Sequence, residues 1–284
     1  MDQSIVKAIH QLAESRNQSF VLATRQKKGN KESSIVHSKA SGSINRIQKI
    51  DRQAIVEYTI HYEWLHKQNE QFYVEERQET RRVQFSHGHL ESDAEIILNQ
   101  SDQEPIPSDL ERIQVEVEDT TYRNKYNRRE AVRYAERWWN DTNKSYHSFT
   151  DNCTNFISQC LHAGGAPMRR TGQKGKGWWY NGAEWSYSWT VAHSFRWYLS
   201  GATTGLRGEE KATAQELKLG DIICYDFTGD GRWQHTTIVV AKDENNEPLV
   251  NAQTVNSRMR FWTYEDSTAW TPEIKYKFFR VVVT

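Results

Sequence analysis

Tryptophan divides this chain in two. Of eleven tryptophans in 284 residues, Trp64 alone precedes residue 121 and ten follow it. Between the halves lies Asn99 to Asp109, NQSDQEPIPSD, a polar stretch with two prolines that reads as a loop or linker. The domain boundary is therefore expected between Asn99 and Arg123, with an N-terminal domain over 1–118 and a second over 119–284. Such a length is comfortable for two domains.

The first half opens with a helix expected from Gln3 to Thr24, where Ile5, Ile9 and Leu12 recur at helical spacing. Alternating stretches follow at Ala54–Trp64, Gln71–Phe85 and His89–Leu98. In the first of these, Val56, Tyr58, Ile60 and Tyr62 alternate with Ile55, Glu57, Thr59 and His61, as in a strand with unequal faces. A helix followed by long antiparallel strands implies a small α+β domain with a curved sheet. Five histidines follow the first helix here, including His87 and His89, and they read as solvent-facing strand residues rather than a metal site. No chemistry is assigned to this half.

The second half begins with an amphipathic helix over Asn127–Asn140, where Ala131, Val132, Ala135 and Trp138 or Trp139 form a stripe opposite Arg and Glu. The run Thr150-Asp151-Asn152-Cys153-Thr154-Asn155 then turns from polar to a spacing of three and four, with Phe156, Ile157, Cys160 and Leu161 on one face. Cys153 thus falls in the first turn of a helix, where free N–H groups and the dipole favour a thiolate. Gly164-Gly165-Ala166-Pro167 ends that helix. Thr171–Trp189 is rich in Gly, Trp, Tyr and Ser and reads as an aromatic-lined rim; its GQKGKG lacks the P-loop spacing. A helix is expected at Val191–Leu199. Strands are expected at Asp221–Phe227, Thr236–Ala241, Pro248–Ala252 and Phe278–Val283.

A nucleophilic cysteine needs an imidazole base and a group to orient it. His162, nine positions after Cys153, lies on the opposite helix face and roughly 13 Å along the axis. His147 sits in a loop upstream, and His193 in a helix where packing is the simpler role. His235 ends the turn Gly229-Asp230-Gly231-Arg232 and stands immediately before the β-prone run Thr236–Val240. A strand mouth facing a helix N-terminus would hold an imidazole rigidly, so His235 is the expected base. Alternation places Asn251 and Gln253 on one face of the next strand, and either is a candidate to hydrogen-bond it.

The remaining cysteines do not suggest a disulfide framework. Cys153 and Cys160 are seven residues apart on one helix, roughly 10 Å along its axis. Cys160 and Cys224 read as buried small hydrophobes. Asp226 and Asp230 lack the continuing ligand series of a calcium loop and read as turn residues. With Lys+Arg equal to Asp+Glu, no global field favours nucleic acid or anionic lipid. No apolar run is long enough to span a membrane. Met1-Asp2-Gln3-Ser4-Ile5 lacks the layout of a secretory signal; a native start at Met1 implies a cytoplasmic protein, and a removed signal an extracellular one.

Asp151-Asn152-Cys153-Thr154-Asn155-Phe156-Ile157-Ser158-Gln159-Cys160 resembles the signature of the bacterial putative amidase domain family, in the papain-like group with the CHAP and NLPC-type cell-wall hydrolases. Further matches follow in order: Ser188-Trp189, Phe195, Gly220-Asp221-Ile222-Ile223, His235 before its apolar strand, and Asn256-Ser257-Arg258. The upstream half resembles the extra N-terminal region of Bacillus-type members.

The resemblance implies an α+β fold in which a papain-like domain, its nucleophile helix packed on an antiparallel sheet, follows the smaller α+β domain. It also implies hydrolysis of an amide bond, in cell-wall peptide or a related peptidoglycan-derived substrate, with no metal or organic cofactor. Cys153 would attack and His235 would shuttle the proton. Helix N–H groups with the Asn152 side chain would stabilise the oxyanion. From the aromatic composition rather than the resemblance, Trp178, Trp179, Trp185, Ser188 and Trp189 are the expected substrate-binding residues, with core packing the default for about half of the tryptophans. The departure is Gln253, where the family pattern leads one to expect histidine in an Asn-Ala-His-Thr context; glutamine can accept a hydrogen bond from the imidazole but not a proton. The rival expectation is a catalytically weakened or inactive module that binds peptide or glycan on the same fold. A transferase using the same thioester is chemically close to the enzyme reading.

Overall fold

The computed structural model describes residues 3–27, 33–96 and 126–284. The chain forms two compact units. One comprises Met1–Leu98 with Val255–Met259, the other Asn99–Thr254 with Arg260–Thr284. The boundary expected between Asn99 and Arg123 lies outside the described residues. A short piece of the second half thus folds with the first, which the linear reading does not anticipate.

In the first unit, helix α1 (Gln3–Lys27) precedes strands β1 (Ser33–Ile50), β2 (Gln53–Gln68), β3 (Gln71–Ser86) and β4 (His89–Glu95). All neighbouring strands pair antiparallel. The alternation read in β2 is realised: Val56, Tyr58, Ile60, Tyr62 and Trp64 are buried against Ile5, Ile9 and Ala13 of α1. Each large apolar side chain removed from water in this way contributes about 1.5–3 kcal/mol. β1 was not expected, because SSIVHSKASGSINRIQKI offers little apolar alternation; its partner β2 supplies the ladder. His37, His87 and His89 are exposed, as expected of strand histidines facing solvent. The exception is His66, buried beside Glu75; His61 is half-buried and bonds Glu76 at 2.8 Å. The Glu76 carboxyl is kept below its usual range, first by His61 and also by Arg258.

The second unit contains α2 (Arg128–Trp138), α3 (Cys153–Ala163), the strand pair β5 (Arg169–Arg170) and β6 (Gly177–Trp178), α4 (Tyr187–Thr190), α5 (Ala192–Gly201) and strands β7 (Leu206–Lys211), β8 (Ile222–Asp226), β9 (His235–Lys242), β10 (Pro248–Ala252), β11 (Asn256–Phe261) and β12 (Lys275–Val283). The start of β11 belongs to the first unit, where Asn256–Arg258 pair with Gln78–Glu76 of β3. The sheet of the second unit runs β10-β9-β8-β12-β7, all antiparallel. An α+β fold dominated by antiparallel sheet, with few helices, is therefore what the chain adopts.

Side-chain alternation gives this sheet two packed faces. α2 and α3 lie against β9 and β10 on one face, and α5 against β7. On the other face Ile223, Tyr225, Val239, Val250 and Tyr264 form a core with Tyr276 and Phe278. Asn127 caps α2 by accepting the Glu130 N–H at 3.3 Å. α3 ends as its glycines suggest, with Gly165 at φ +83° and its N–H on the His162 carbonyl.

Candidate active site

Cys153 is the first residue of α3, and Asn152 occupies the N-cap position. The N-terminus of α3 does not stand open. The Thr254 hydroxyl accepts the backbone N–H of both Asn152, at 3.0 Å, and Cys153, at 3.2 Å. Thr254 holds φ +93°, a strained conformation for a β-branched residue. A hydroxyl supplied from the β10–β11 connection thus does the work that an N-cap side chain does elsewhere.

The thiol is buried. Sγ lies 3.7 Å from the Thr154 hydroxyl, which is 3.2 Å from the Thr236 hydroxyl. Burial pushes the Cys153 thiol above its ordinary range and the Asp151 charge adds to this; the Thr154 hydroxyl and the Thr236 N–H and hydroxyl pull the other way. The thiolate expected from the helix dipole is therefore not the resting form, because desolvation outweighs the dipole. Cys160 and Cys224 are fully buried, and burial raises both thiols.

His235 begins β9, as the sequence suggests, but its neighbour Thr236 is the residue that reaches Cys153. In the β8–β9 register Thr236 is paired with Cys224 and His235 with Tyr225, so successive side chains go to opposite faces. His235 Nε2 is 3.2 Å from the Tyr264 hydroxyl, and its ring stands among Tyr225, Phe227 and Tyr264. Among the described residues no hydrogen bond joins Cys153 to His235. Burial, aided by the Arg260 charge, lowers the imidazole pKa to about 3, so the ring is neutral. Arg260 itself is buried against Tyr264 and paired with Asp266.

Among the described residues the two candidate orienters bond partners other than His235. The Gln253 carbonyl accepts from Asn152 Nδ2, and its amide donates to the main-chain carbonyls of Trp138 and Asp141. Asn251 donates to Glu136 at 2.8 Å. Both lie on the helix-bearing face, away from the imidazole. The Asn152 side chain is likewise engaged: its carbonyl accepts from Phe149 N–H at 3.1 Å and Asn155 Nδ2 at 2.8 Å. The structure thus brings Asn152, Cys153 and Gln253 together and leaves His235 on the other face.

Most of the expected rim is interior. Trp178, Trp179 and Trp189 are at most 2% exposed, and Ser188 is buried. Trp178 donates to Ser158, Trp189 to Asn155, and Ser188 to the Gly177 carbonyl. These residues fix α3 from the side, which a composition rich in Gly and Trp does not disclose. Trp185 alone of the four tryptophans is half-buried; it stacks on the exposed His147, with ring centroids 5.2 Å apart and planes 17° apart, and meets Phe149 edge-on. The His147 carbonyl accepts from Asn155, so this aromatic shelf is tied to the first turn of α3.

The remaining sequence candidates fall into structural roles. His162 is exposed at the end of α3. Asp226 accepts the N–H groups of Gly229 and Gly231, which makes it the organiser of that turn. Sequence reasoning missed Thr236 and Thr254, whose only signal was their position beside His235 and Gln253. No helix among the described residues is long and apolar enough to cross a membrane.

The second unit thus presents a cysteine at the head of a helix that packs on an antiparallel sheet. Residues 125–279 match the family described as putative amidase domain, and the chain belongs to that family. It is 51% identical over 253 residues to the uncharacterized protein YhbB of Bacillus subtilis (strain 168), covering 87% of this chain and 81% of that one. A second relative, the uncharacterized protein YjcM of the same organism, is 32% identical over 123 residues, or 39% of this chain and 27% of YjcM. No solved structure matches.

Proposed function

We propose that this chain is a cysteine amidohydrolase on a papain-like scaffold, with Cys153 as nucleophile and His235 as general base, acting on a peptide amide such as those of the cell wall. The observation that carries the reading is the position of Cys153 at the head of α3, whose Thr154 meets Thr236 at the start of the strand that His235 opens. The resting pair is a neutral thiol and a neutral imidazole. Such a pair reacts by moving the proton as the bond forms.

Sγ attacks the carbonyl carbon while its proton passes to His235, a step that requires the imidazole to leave Tyr264 for the thiol. The carbonyl oxygen takes the place of the Thr254 hydroxyl on the Asn152 and Cys153 N–H groups. Collapse expels the amine with the proton from His235 and leaves a thioester, which water then hydrolyses with His235 again as base. Trp185 on the exposed shelf is the substrate-binding residue retained from the rim.

A second reading is a binding module on the same fold. It is favoured by the His235–Tyr264 contact and by the commitment of Gln253 and Asn251 to the helices. The two readings separate when peptidoglycan digests are incubated with the chain and new amine and carboxyl ends are followed by mass spectrometry. Turnover lost in both Cys153→Ser and His235→Ala supports the enzyme. Turnover that survives either change, or binding without turnover in the unaltered chain, sinks it.

A further inference from the structure

Arg196, on α5, is a buried cation for which no side-chain acceptor is found among the described residues. It is 8% exposed, and its Nε and Nη1 are buried with no hydrogen-bond partner. Its guanidinium carbon lies 3.8 Å from the Trp197 ring centroid and 5.4 Å from that of Trp233. The acidic groups nearest it are the Cys224 thiol, which burial keeps protonated, and Glu210, which is paired with Lys277. Indole faces attract a cation but take none of the hydrogens that a guanidinium projects in its own plane. Folded proteins rarely leave such donors unmet, and an arginine fork is shaped for two carboxylate oxygens.

The surroundings specify the ligand further. Trp197 is 45% exposed while Trp233 is buried, so the approach to Arg196 is past Trp197. His193 lies between the Trp197 Nε1, at 3.1 Å, and the Trp233 N–H, at 3.3 Å. Burial and the neighbouring Arg232 and Arg196 charges keep its imidazole uncharged. One guanidinium between two indoles suits a planar monoanion better than a doubly charged phosphate, which draws several cations.

We propose that Arg196 anchors a carboxylate-binding site, taking the carboxylate of a peptide-type ligand that enters past Trp197. The site requires nothing of Cys153, so it stands or falls separately from the enzyme reading. Exposed Trp197 and adjacent Trp233 supply an intrinsic fluorescence signal. The full chain is titrated with N-acetylglycine, with its neutral isostere N-acetylglycinamide and with inorganic phosphate, at ionic strength matched by chloride. Arg196→Met and Arg196→Lys are titrated in parallel.

The expected result is a saturable change with N-acetylglycine alone. It should weaken by roughly tenfold or more in Arg196→Met and less in Arg196→Lys. Because the arginine gives up unmet donors, Arg196→Met should melt no lower than the unaltered chain. No saturable response to N-acetylglycine overturns the proposal, as does an equal response in Arg196→Met or to the amide. Saturation by phosphate alone overturns the carboxylate assignment. A lower melting temperature in Arg196→Met, with the carboxylate response unchanged in Arg196→Lys, would make Arg196 a packing residue and overturn it too.

Discussion

The Thr254 hydroxyl accepts the backbone N–H of Cys153 at 3.2 Å, from a residue held at φ +93°. Two opposed effects meet in it. The hydroxyl caps α3, while the backbone conformation is unfavourable for any residue with a Cβ. Thr254→Ala keeps the strain and loses the cap, so it should destabilise the chain by about 1 kcal/mol. Thr254→Gly also loses the cap but removes strain on the order of 1 kcal/mol. It should lie close to the unaltered chain. Urea denaturation of the three proteins measures the difference.

Gln253 joins the end of α2 to the start of α3 through contacts with Asn152, Trp138 and Asp141. Gln253→Ala leaves an amide and two carbonyls without this partner at a site where Gln253 is 4% exposed. The expected loss is about 3 kcal/mol. Gln253→His cannot reproduce all three contacts and should also destabilise the chain, rather than sharpen catalysis through His235. Thermal melts and peptide-amide turnover of the same variants read both effects.

Cys153 should be a slow thiol at rest. Burial raises its pKa, so iodoacetamide should label it at pH 7 more slowly than the same residue in the urea-unfolded chain. The rate should rise only above the ordinary thiol range. Peptide mapping across pH checks this, and fast labelling of Cys153 below pH 7 in the folded chain would contradict it.

His235 should make the fold sensitive to acid. Its imidazole pKa falls from 6.5 unfolded to about 3 folded, because burial and Arg260 disfavour the cation. Between those values the unfolded chain binds more protons. The stabilisation is complete above pH 6.5 and is lost as pH falls toward 3, by at most about 1.4 kcal/mol per pH unit. His235→Phe should flatten that limb of the stability profile. Equal slopes in the two proteins would show that His235 titrates normally.

Trp189 and Trp185 should separate packing from binding. Trp189, on α4, is fully buried and donates to Asn155 of α3, and Trp189→Ala should cost about 3–5 kcal/mol. Trp185→Ala, on the half-buried shelf beside His147, should change stability far less and act mainly on substrate affinity. Melting temperatures paired with binding measurements distinguish them.

Much of the local structure was legible in the residues. The alternation of Val56 to Trp64 gave β2, and the turn from Asp151 to Phe156 gave the start of α3. Strand β10 falls where the sequence expects it, at Pro248–Ala252. β1 was hidden, because a polar strand is specified by its neighbour rather than by its own pattern. The tryptophans near α3 could be counted but not sorted. Whether an indole lines a rim or a core depends on what closes over it.

By itself, the sequence determined strands such as β2, β9 and β10, the α+β class, the family signature and the helix that carries Cys153. These follow from periods of 3.6 and 2 and from motifs contiguous in the chain. Only the tertiary structure decided that Thr236 meets Thr154 beside the Cys153 thiol while His235 meets Tyr264, and that Gln253 holds Asn152. It also decided that the Cys153 thiol rests protonated. One residue of strand phase sends a side chain to the opposite face, and burial can outweigh a helix dipole. Both depend on which elements pack together, and that is set by partners distant in the chain.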